Sequence, residues 1–321
     1  MTTTDTNAVP GAPELPDVTL NAAKPNAPVT ARVVSNERCT GRKAAGFVRH
    51  ISFDVSGTPL AGIVRPGQAF GILPPGVDEN GKAHKLRLYS ASNPTGGEDG
   101  EGNVIATTVK RTIDEHWETG KLFLGVASNY LCDLAPGDEV KLTGPAGKRF
   151  LLPAEPDLHD YLFFATGTGI APFRGMIRDL LDSDVQSRVT LIMGAPYQTD
   201  LLYHADLLAL EQRHDNFRYI TALSRERQDD GHDPMYLHRR IDTHRDTLLP
   251  LLASRRTLVY ICGLAGMELG IFKSLARLLP EHELDQYLRV QDGTPSDPDQ
   301  WDRSMVPKLI GPTPRVLMEV Y

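Results

Sequence analysis

Three cysteines, Cys39, Cys132 and Cys262, are all that the 321 residues hold. They are too few and too widely spaced for an iron–sulfur cluster or a zinc knuckle, and no other metal-ligand pattern stands out. A disulfide framework fails on the same count. Redox chemistry in this chain would therefore need an organic cofactor. No apolar stretch approaches the length of a membrane span. An excess of positive charge is also missing: 34 Lys and Arg stand against 41 Asp and Glu, a net charge of −7. That balance argues against nucleic acid as a partner. Neither a basic-then-apolar secretory leader nor an Arg-rich transit segment is recognisable, so the cytoplasm is the expected location. No internal repeat is visible.

What is present falls into two textures after a lead-in. Residues 1–29 are rich in Thr, Ala, Pro and Asn and read as disordered. Residues 30–153 hold short β-rich runs, such as Phe47 to Phe53, Lys85 to Ser90 and Ile105 to Val109. Turn signals including Pro66-Gly67, Pro136-Gly137 and Gly144-Pro145 separate them, the spacing of an antiparallel barrel or sandwich. Residues 154–321 instead alternate apolar runs with helical patterns: Tyr161–Ala165 then Phe173–Leu181, Val189–Met193 then Ala205–Arg213, Phe217–Leu223 then Tyr236–Ile241, and Leu258–Cys262 then Met267–Leu279. Apolar strands with intervening helices predict a parallel sheet covered on both faces. The proline-rich segment Asp292 to Pro314 reads as a loop before a terminal strand, Arg315 to Tyr321. Net charge is +2 over residues 30–152 and −7 over residues 153–321, so the first half is the better face for an acidic protein partner.

Ligands of open α/β sheets sit beyond the carboxyl ends of the strands, and all four internal strand ends here carry suggestive residues. After the first comes Thr166-Gly167-Thr168-Gly169-Ile170-Ala171-Pro172. Its glycines let backbone approach a pyrophosphate, its helix start attracts negative charge, and Pro172 suits a first turn. The second strand ends at Gly194-Ala195-Pro196 and the third at Ser224-Arg225, a hydroxyl beside a guanidinium fit for phosphate. The fourth ends at Cys262-Gly263-Leu264-Ala265-Gly266-Met267. Taken singly, Arg225 is also explained as a solvated surface residue and Cys262 as packing.

In the first half, Arg87-Leu88-Tyr89-Ser90 puts an Arg for phosphate, a Tyr to stack and a hydroxyl on one short extended run. Gly125-Val126-Ala127-Ser128 adds a glycine and a helix start. At the chain end, alternation points Glu319 and Tyr321 the same way, presenting a carboxylate and a flat ring together.

These runs, with Thr108-Val109-Lys110-Arg111, Ser224-Arg225-Glu226, Met235-Tyr236 and the closing Glu-Val-Tyr, occur in an order that resembles the plant-type ferredoxin–NADP(+) reductases. The resemblance covers most of residues 30–285 plus the terminal strand. It implies an FAD-binding antiparallel β-barrel domain followed by an NADP(H)-binding α/β domain whose C-terminal Tyr returns to the flavin. It places Arg87, Leu88, Tyr89 and Ser90 on the flavin, with Thr108, Val109, Lys110 and the Gly125–Ser128 backbone toward its phosphates and adenosine half. Thr168 would lie between flavin and nicotinamide. Gly169, Pro172, Ala195, Pro196, Gly263, Leu264 and Met267 would line the NADP(H) path, and Ser224, Arg225 and Tyr236 would take the 2′-phosphate end. Ser90, Cys262, Glu319 and Tyr321 would surround the hydride route.

The implied activity is electron transfer between NADP(H) and a one-electron carrier, ferredoxin or flavodoxin. A reductase component of an oxygenase system is the neighbouring alternative, and a non-catalytic flavin-binding scaffold the reading from another class. Two departures stand out. The family usually has a lysine where Pro234 stands, preceded here by Asp233, which weakens the expected preference for NADP(H) over NAD(H). His238 and Arg240 are candidate substitutes for that cation. Residue 127 is Ala where many relatives have Cys.

Overall fold

The computed structural model describes residues 12–183 and 185–321. Six strands build the first domain: β1 (Val29–Arg38), β2 (Val48–Asp54), β3 (Ala69–Leu73), β4 (Arg87–Ser90), β5 (Val104–Lys110) and β8 (Glu139–Ala146). They run antiparallel in the order β4-β3-β8-β1-β2-β5. A bridge between Ala91 and Thr107 brings the two outer strands together, so the sheet closes into a barrel and loses its edges. Period-two alternation sends Ile51, Phe53, Phe70, Ile72, Ile105, Val109 and Leu142 inward. Between β5 and β8 lie a hairpin, β6 (Ile113–Glu115) with β7 (Leu122–Leu124), and helix α1 (Val126–Asp133).

The second domain is a five-stranded parallel sheet of β9 (Asp160–Thr166), β10 (Val189–Ala195), β11 (Phe217–Leu223), β12 (Thr257–Gly263) and β15 (Val316–Val320), in the order β11-β10-β9-β12-β15. Alternate residues of β9 enter different cores: Tyr161 and Phe163 face one layer, Leu162 and Phe164 the other. Helices α2 (Ile170–Leu181) and α3 (His204–Arg213) cover the first layer through Phe173, Ile177 and Leu207. After the short α4 (Arg240–Thr243), helices α5 (Arg245–Leu252) and α6 (Met267–Leu278) cover the second through Leu248, Leu251, Ile271 and Phe272. Helix α5, which carries Pro250, is absent from the sequence reading. The chain leaves β9 toward β10 and β11, then crosses to β12 and β15. The crevice therefore opens between the ends of β9 and β12. Among the described residues no helix is long and apolar enough to cross a membrane.

Two expectations need correction. The lead-in expected to be disordered is, over residues 12–28, pinned to the protein; residues 1–11 lie outside the described residues. Ala23 and Gly144 exchange backbone bonds of 2.9 and 2.8 Å, Asn21 N–H donates to Pro145 at 2.8 Å, and Ala154 N–H donates to Glu14 at 2.9 Å. A proline-rich strand cannot satisfy its own backbone, but the unpaired end of β8 supplies partners that composition does not reveal. The segment 292–314, read as a loop, is a folded cap. It contributes β14 (Ile310–Pro312), paired antiparallel with β13 (Leu288–Val290). Trp301 and Ile310 from it are buried in the second layer, at 4% and 0% exposure.

Candidate active site at the domain seam

Three strand ends converge on the crevice. After β9, Gly167 adopts φ +52°, and Gly169 packs so tightly that a Cβ there would collide with the Cys262 carbonyl. The tight turn Gly167–Gly169 runs directly into α2, where the Ile170 N–H donates to the Gly167 and Thr168 carbonyls, so the amides without a side-chain cap are those of the turn itself, and Pro172 lies buried in the first turn of the helix. Gly263, ending β12, has φ +145°, and a Cβ there would strike the Thr166 hydroxyl. That hydroxyl accepts from Leu264 N–H at 3.0 Å and lies 3.4 Å from Met267 Sδ. Thr166 thus stitches the two glycine turns together.

The third end is the chain terminus. β15 lies parallel to β12 with Cys262 opposite Glu319 and Gly263 opposite Val320. Backbone bonds from Tyr321 N–H to Gly263 (3.0 Å) and from Ala265 N–H to Tyr321 (2.9 Å) hold the last residue. Its phenol meets the Thr168 hydroxyl at 2.6 Å while the residue stays 61% exposed. Burial raises the Glu319 carboxyl to about 7, within reach of physiological proton exchange. Burial raises the Cys262 thiol, and the Glu319 carboxylate adds to it, so Cys262 is a small neutral contact rather than a thiolate.

A cavity of about 260 Å³ joins these ends to the barrel. Thr168, Ala195, Pro196, Ser224, Tyr236, Leu264 and Tyr321 line it, and Lys110 reaches it from β5. Ser224 and Arg225 are set by backbone bonds to Ala195 (2.9 Å) and Pro196 (3.0 Å). Tyr236 is 70% exposed and lies nearly parallel to His238, at 6.2 Å between centroids. Arg225 is exposed just outside the cavity. Asp233, next to the missing lysine, sits 3.5 Å from Arg227. The pair is open to solvent, so its effect on Arg225 is small.

On the barrel side, Leu88 is 57% exposed and Val126 46%, an unusual display for apolar side chains flanking a cleft. Tyr89 is half-buried against the barrel core, and burial pushes its phenol up to about 12. Thr107 Oγ1 donates to Ser90 O at 2.8 Å, tying the end of β4 to the strand that carries Lys110. At α1, Gly125 begins the helix with no side-chain cap, and a Cβ there would sit 2.7 Å from Ser128 Oγ. Exposed apolar side chains at Leu88 and Val126, with the uncapped start of α1, suit a flat ring with a pyrophosphate tail.

Several expected side-chain roles need correction. The Thr108 side chain does not reach the crevice: it meets Tyr203 Oη at 2.6 Å, because a buried hydroxyl takes the partner facing it. Val109 is in the barrel core at 1% exposure, as strand alternation requires. At 125–128 the expected contact is through backbone; Ala127 and Ser128 are buried, and the Ser128 hydroxyl accepts from Thr112 N–H at 3.1 Å. Arg240 is no substitute cation: it is 3% exposed, pairs with Asp230 at 2.5 Å and donates to Thr221 O at 2.6 Å. His238 is packed against Gly270, and burial lowers its pKa, so it is neutral. Thr166 stands in the glycine motif, where the sequence assigns it no role of its own, and Tyr203 and the exposed hairpin around Trp117 stand in no motif that signals chemistry.

An antiparallel barrel joined to a doubly wound sheet, with glycine turns and a ring-bearing terminus at their seam, defines a two-domain nucleotide-dependent oxidoreductase. The family model described as the oxidoreductase NAD-binding domain matches residues 163–272. The ferredoxin–NADP reductase of Thermosynechococcus vestitus is 39% identical over 275 residues, 84% of this chain and 70% of that protein. The Spirulina sp. ferredoxin–NADP reductase is 38% identical over 84% and 92% of the two chains, and leaf isozyme 1 of Arabidopsis thaliana, a chloroplastic enzyme, is 38% identical over 84% and 75%. The ferredoxin–NADP+ reductase structure from Plasmodium falciparum superposes with a TM-score of 0.68 at 20% identity, over 94% of this chain and 99% of that one, which shows the shared fold. This chain belongs to the ferredoxin–NADP reductase family.

Proposed function

We propose that this protein moves electrons between NADP(H) and a ferredoxin or flavodoxin through a bound FAD. FAD, when bound, supplies the conversion between a transferred hydride and single electrons. The residues present fit it: β4 offers Arg87, Tyr89 and Ser90 beside the exposed Leu88, and the uncapped start of α1 and the glycine turn before α2 offer backbone amides to phosphate.

The chain's own work is orientation, shielding and proton handling. Ser224, Arg225 and Tyr236 hold the 2′-phosphoadenosine end, with Arg225 forking to phosphate. Lys110 lies across the cavity from them and answers the remaining phosphate charge. Tyr321 covers the place where the nicotinamide must lie and yields it on entry, which limits ground-state binding. Glu319 and Ser90 hold or pass a proton beside the reacting atoms, and Cys262 is the soft contact there. The observation that carries this reading is the Tyr321–Thr168 contact over a cavity shared by both domains.

Stopped-flow mixing of the oxidised, flavin-loaded protein with NADPH and NADH tests it. Rapid bleaching of the flavin is expected, faster with NADPH, with the preference for NADPH reduced about tenfold or more in Arg225→Ala. A colourless protein, or a flavin that stays oxidised under excess NADPH, refutes the proposal.

A further inference from the structure

The two motifs that must meet across the seam are each continued by segments that grip one another. Two residues beyond Ser90, the Ser92 carbonyl accepts from Arg174 Nη1 at 2.9 Å. The same guanidinium forks onto Glu98, at 2.5 Å from Oε1 and 3.0 Å from Oε2. Arg178, one turn further along α2, lies 3.9 Å from Glu98 Oε2. Asp179, on the same face, accepts from Thr95 N–H at 2.8 Å and from its hydroxyl at 2.6 Å. Between them, a Cβ on Gly175 would collide with the Asn93 carbonyl, so helix and loop lie backbone to backbone.

Tyr203 locks the clasp from above. The Arg174 guanidinium lies 5.1 Å from its ring centroid, and its hydroxyl meets Thr108 on β5 at 2.6 Å and His50 Nδ1 on β2 at 2.9 Å. It adopts φ +55°, a conformation a residue with a Cβ holds only when its surroundings enforce it. His50 also faces Glu98 at 3.7 Å, and burial followed by Arg174 keeps its pKa down at about 4, so the ring is neutral. Arg174, Glu98 and His50 are only 14–17% exposed.

The lever arms are short. Arg174 stands six residues beyond Thr168, roughly 9 Å of helical rise, and Ser92 two residues beyond Ser90, roughly 7 Å of strand. We propose that Arg174 and Tyr203 are positioning residues that fix the gap between the flavin strand and the nicotinamide turn. Neither lines the crevice cavity. The inference rests on the function proposed above and extends it to residues outside the crevice. Because an error of about 1 Å in such a gap costs roughly a hundredfold in rate, loosening the clasp should slow hydride transfer without affecting either half-site.

Two full-length, flavin-loaded variants test this: Arg174→Lys, which keeps the charge and loses the fork, and Tyr203→Phe, which loses only the hydroxyl. The readouts are the limiting rate of flavin reduction by NADPH, the Kd for 2′-phospho-AMP, and hydrogen exchange at the Thr95 amide. Expected are a rate about tenfold lower or more, a Kd within about twofold of wild type because the 2′-phosphate end is held by Ser224, Arg225 and Tyr236 of the α/β domain, and faster exchange at Thr95. A rate within about twofold of wild type in Tyr203→Phe overturns the proposal, and so does a parallel loss of 2′-phospho-AMP binding. If Arg174→Lys does not fold, Tyr203→Phe decides. Should wild-type flavin resist NADPH, the parent reading fails instead; unchanged Thr95 exchange in both variants still overturns the clasp.

Discussion

Replacing Tyr321 by Ser should tighten nucleotide binding, and the structure sets the size of the effect. The strand that carries Tyr321 is held by main-chain bonds to Gly263 and Ala265, which Ser leaves intact. Only the side chain's own contacts are lost. The phenol–Thr168 hydrogen bond contributes about 1 kcal/mol, and stacking of the ring on the flavin proposed to lie there would add about 0.5–1.5 kcal/mol. An entering nicotinamide must displace both. Its removal should therefore lower the Kd for NADP+ by about 1.5–2.5 kcal/mol, roughly ten- to seventyfold. The same increment applies to NAD+, because the nicotinamide halves are identical, and NADH should become a usable donor. Tighter ground-state binding also slows release, so kcat with NADPH should fall while affinity rises. Difference-spectral titration of wild type and variant with both nucleotides measures this directly. Unchanged or weaker affinity for both would show that the terminal ring does not occupy the nicotinamide's place.

Two further predictions follow from the same crevice. Glu319→Gln should abolish an inflection near pH 7 in the rate of flavin reduction, since burial raises that carboxyl to about 7. The folded state holds this proton more tightly than the unfolded chain, so the stability it contributes is full below the ordinary value of 4.5 and is lost as pH rises through about 7. Chemical denaturation should accordingly show Glu319→Gln gaining on wild type across that window, by about 1–3 kcal/mol; a constant difference would refute the shift. Gly169→Ala drives a methyl into the Cys262 carbonyl and should cost about 1–3 kcal/mol or prevent folding, measured by urea unfolding. Gly167→Ala has open space and pays only its left-handed φ, about 1 kcal/mol. Equal costs for the two would contradict the packing argument.

Much of this molecule is determined by its linear pattern. Apolar runs too short and too evenly spaced to be anything but strands, then strands separated by helical periods, dictate a barrel followed by a parallel sheet. Glycines at strand ends mark where backbone must approach a ligand, because only they tolerate Gly263's φ or Gly169's contact. Alternation also places Glu319 and Tyr321 on one side of the last strand.

Tertiary structure alone decided which motif side chains reach the crevice. Thr108 and Ser128 carry suitable hydroxyls, yet each is spent on a neighbour within the fold that no local pattern announces. Arg240 looks like a surface cation and is a buried strut, since Asp230 and the Thr221 carbonyl compensate its charge. The ordered stretch 12–28 is held by partners more than a hundred residues away, and the cap around Trp301 by strand β13 and by Lys273 on α6, beyond any window of propensity. The grip of Arg174 and Tyr203 on Glu98 and His50 is of the same kind. Local sequence specifies what each segment can become, but pairings across the seam depend on how two finished domains meet, and that is settled only when both have folded.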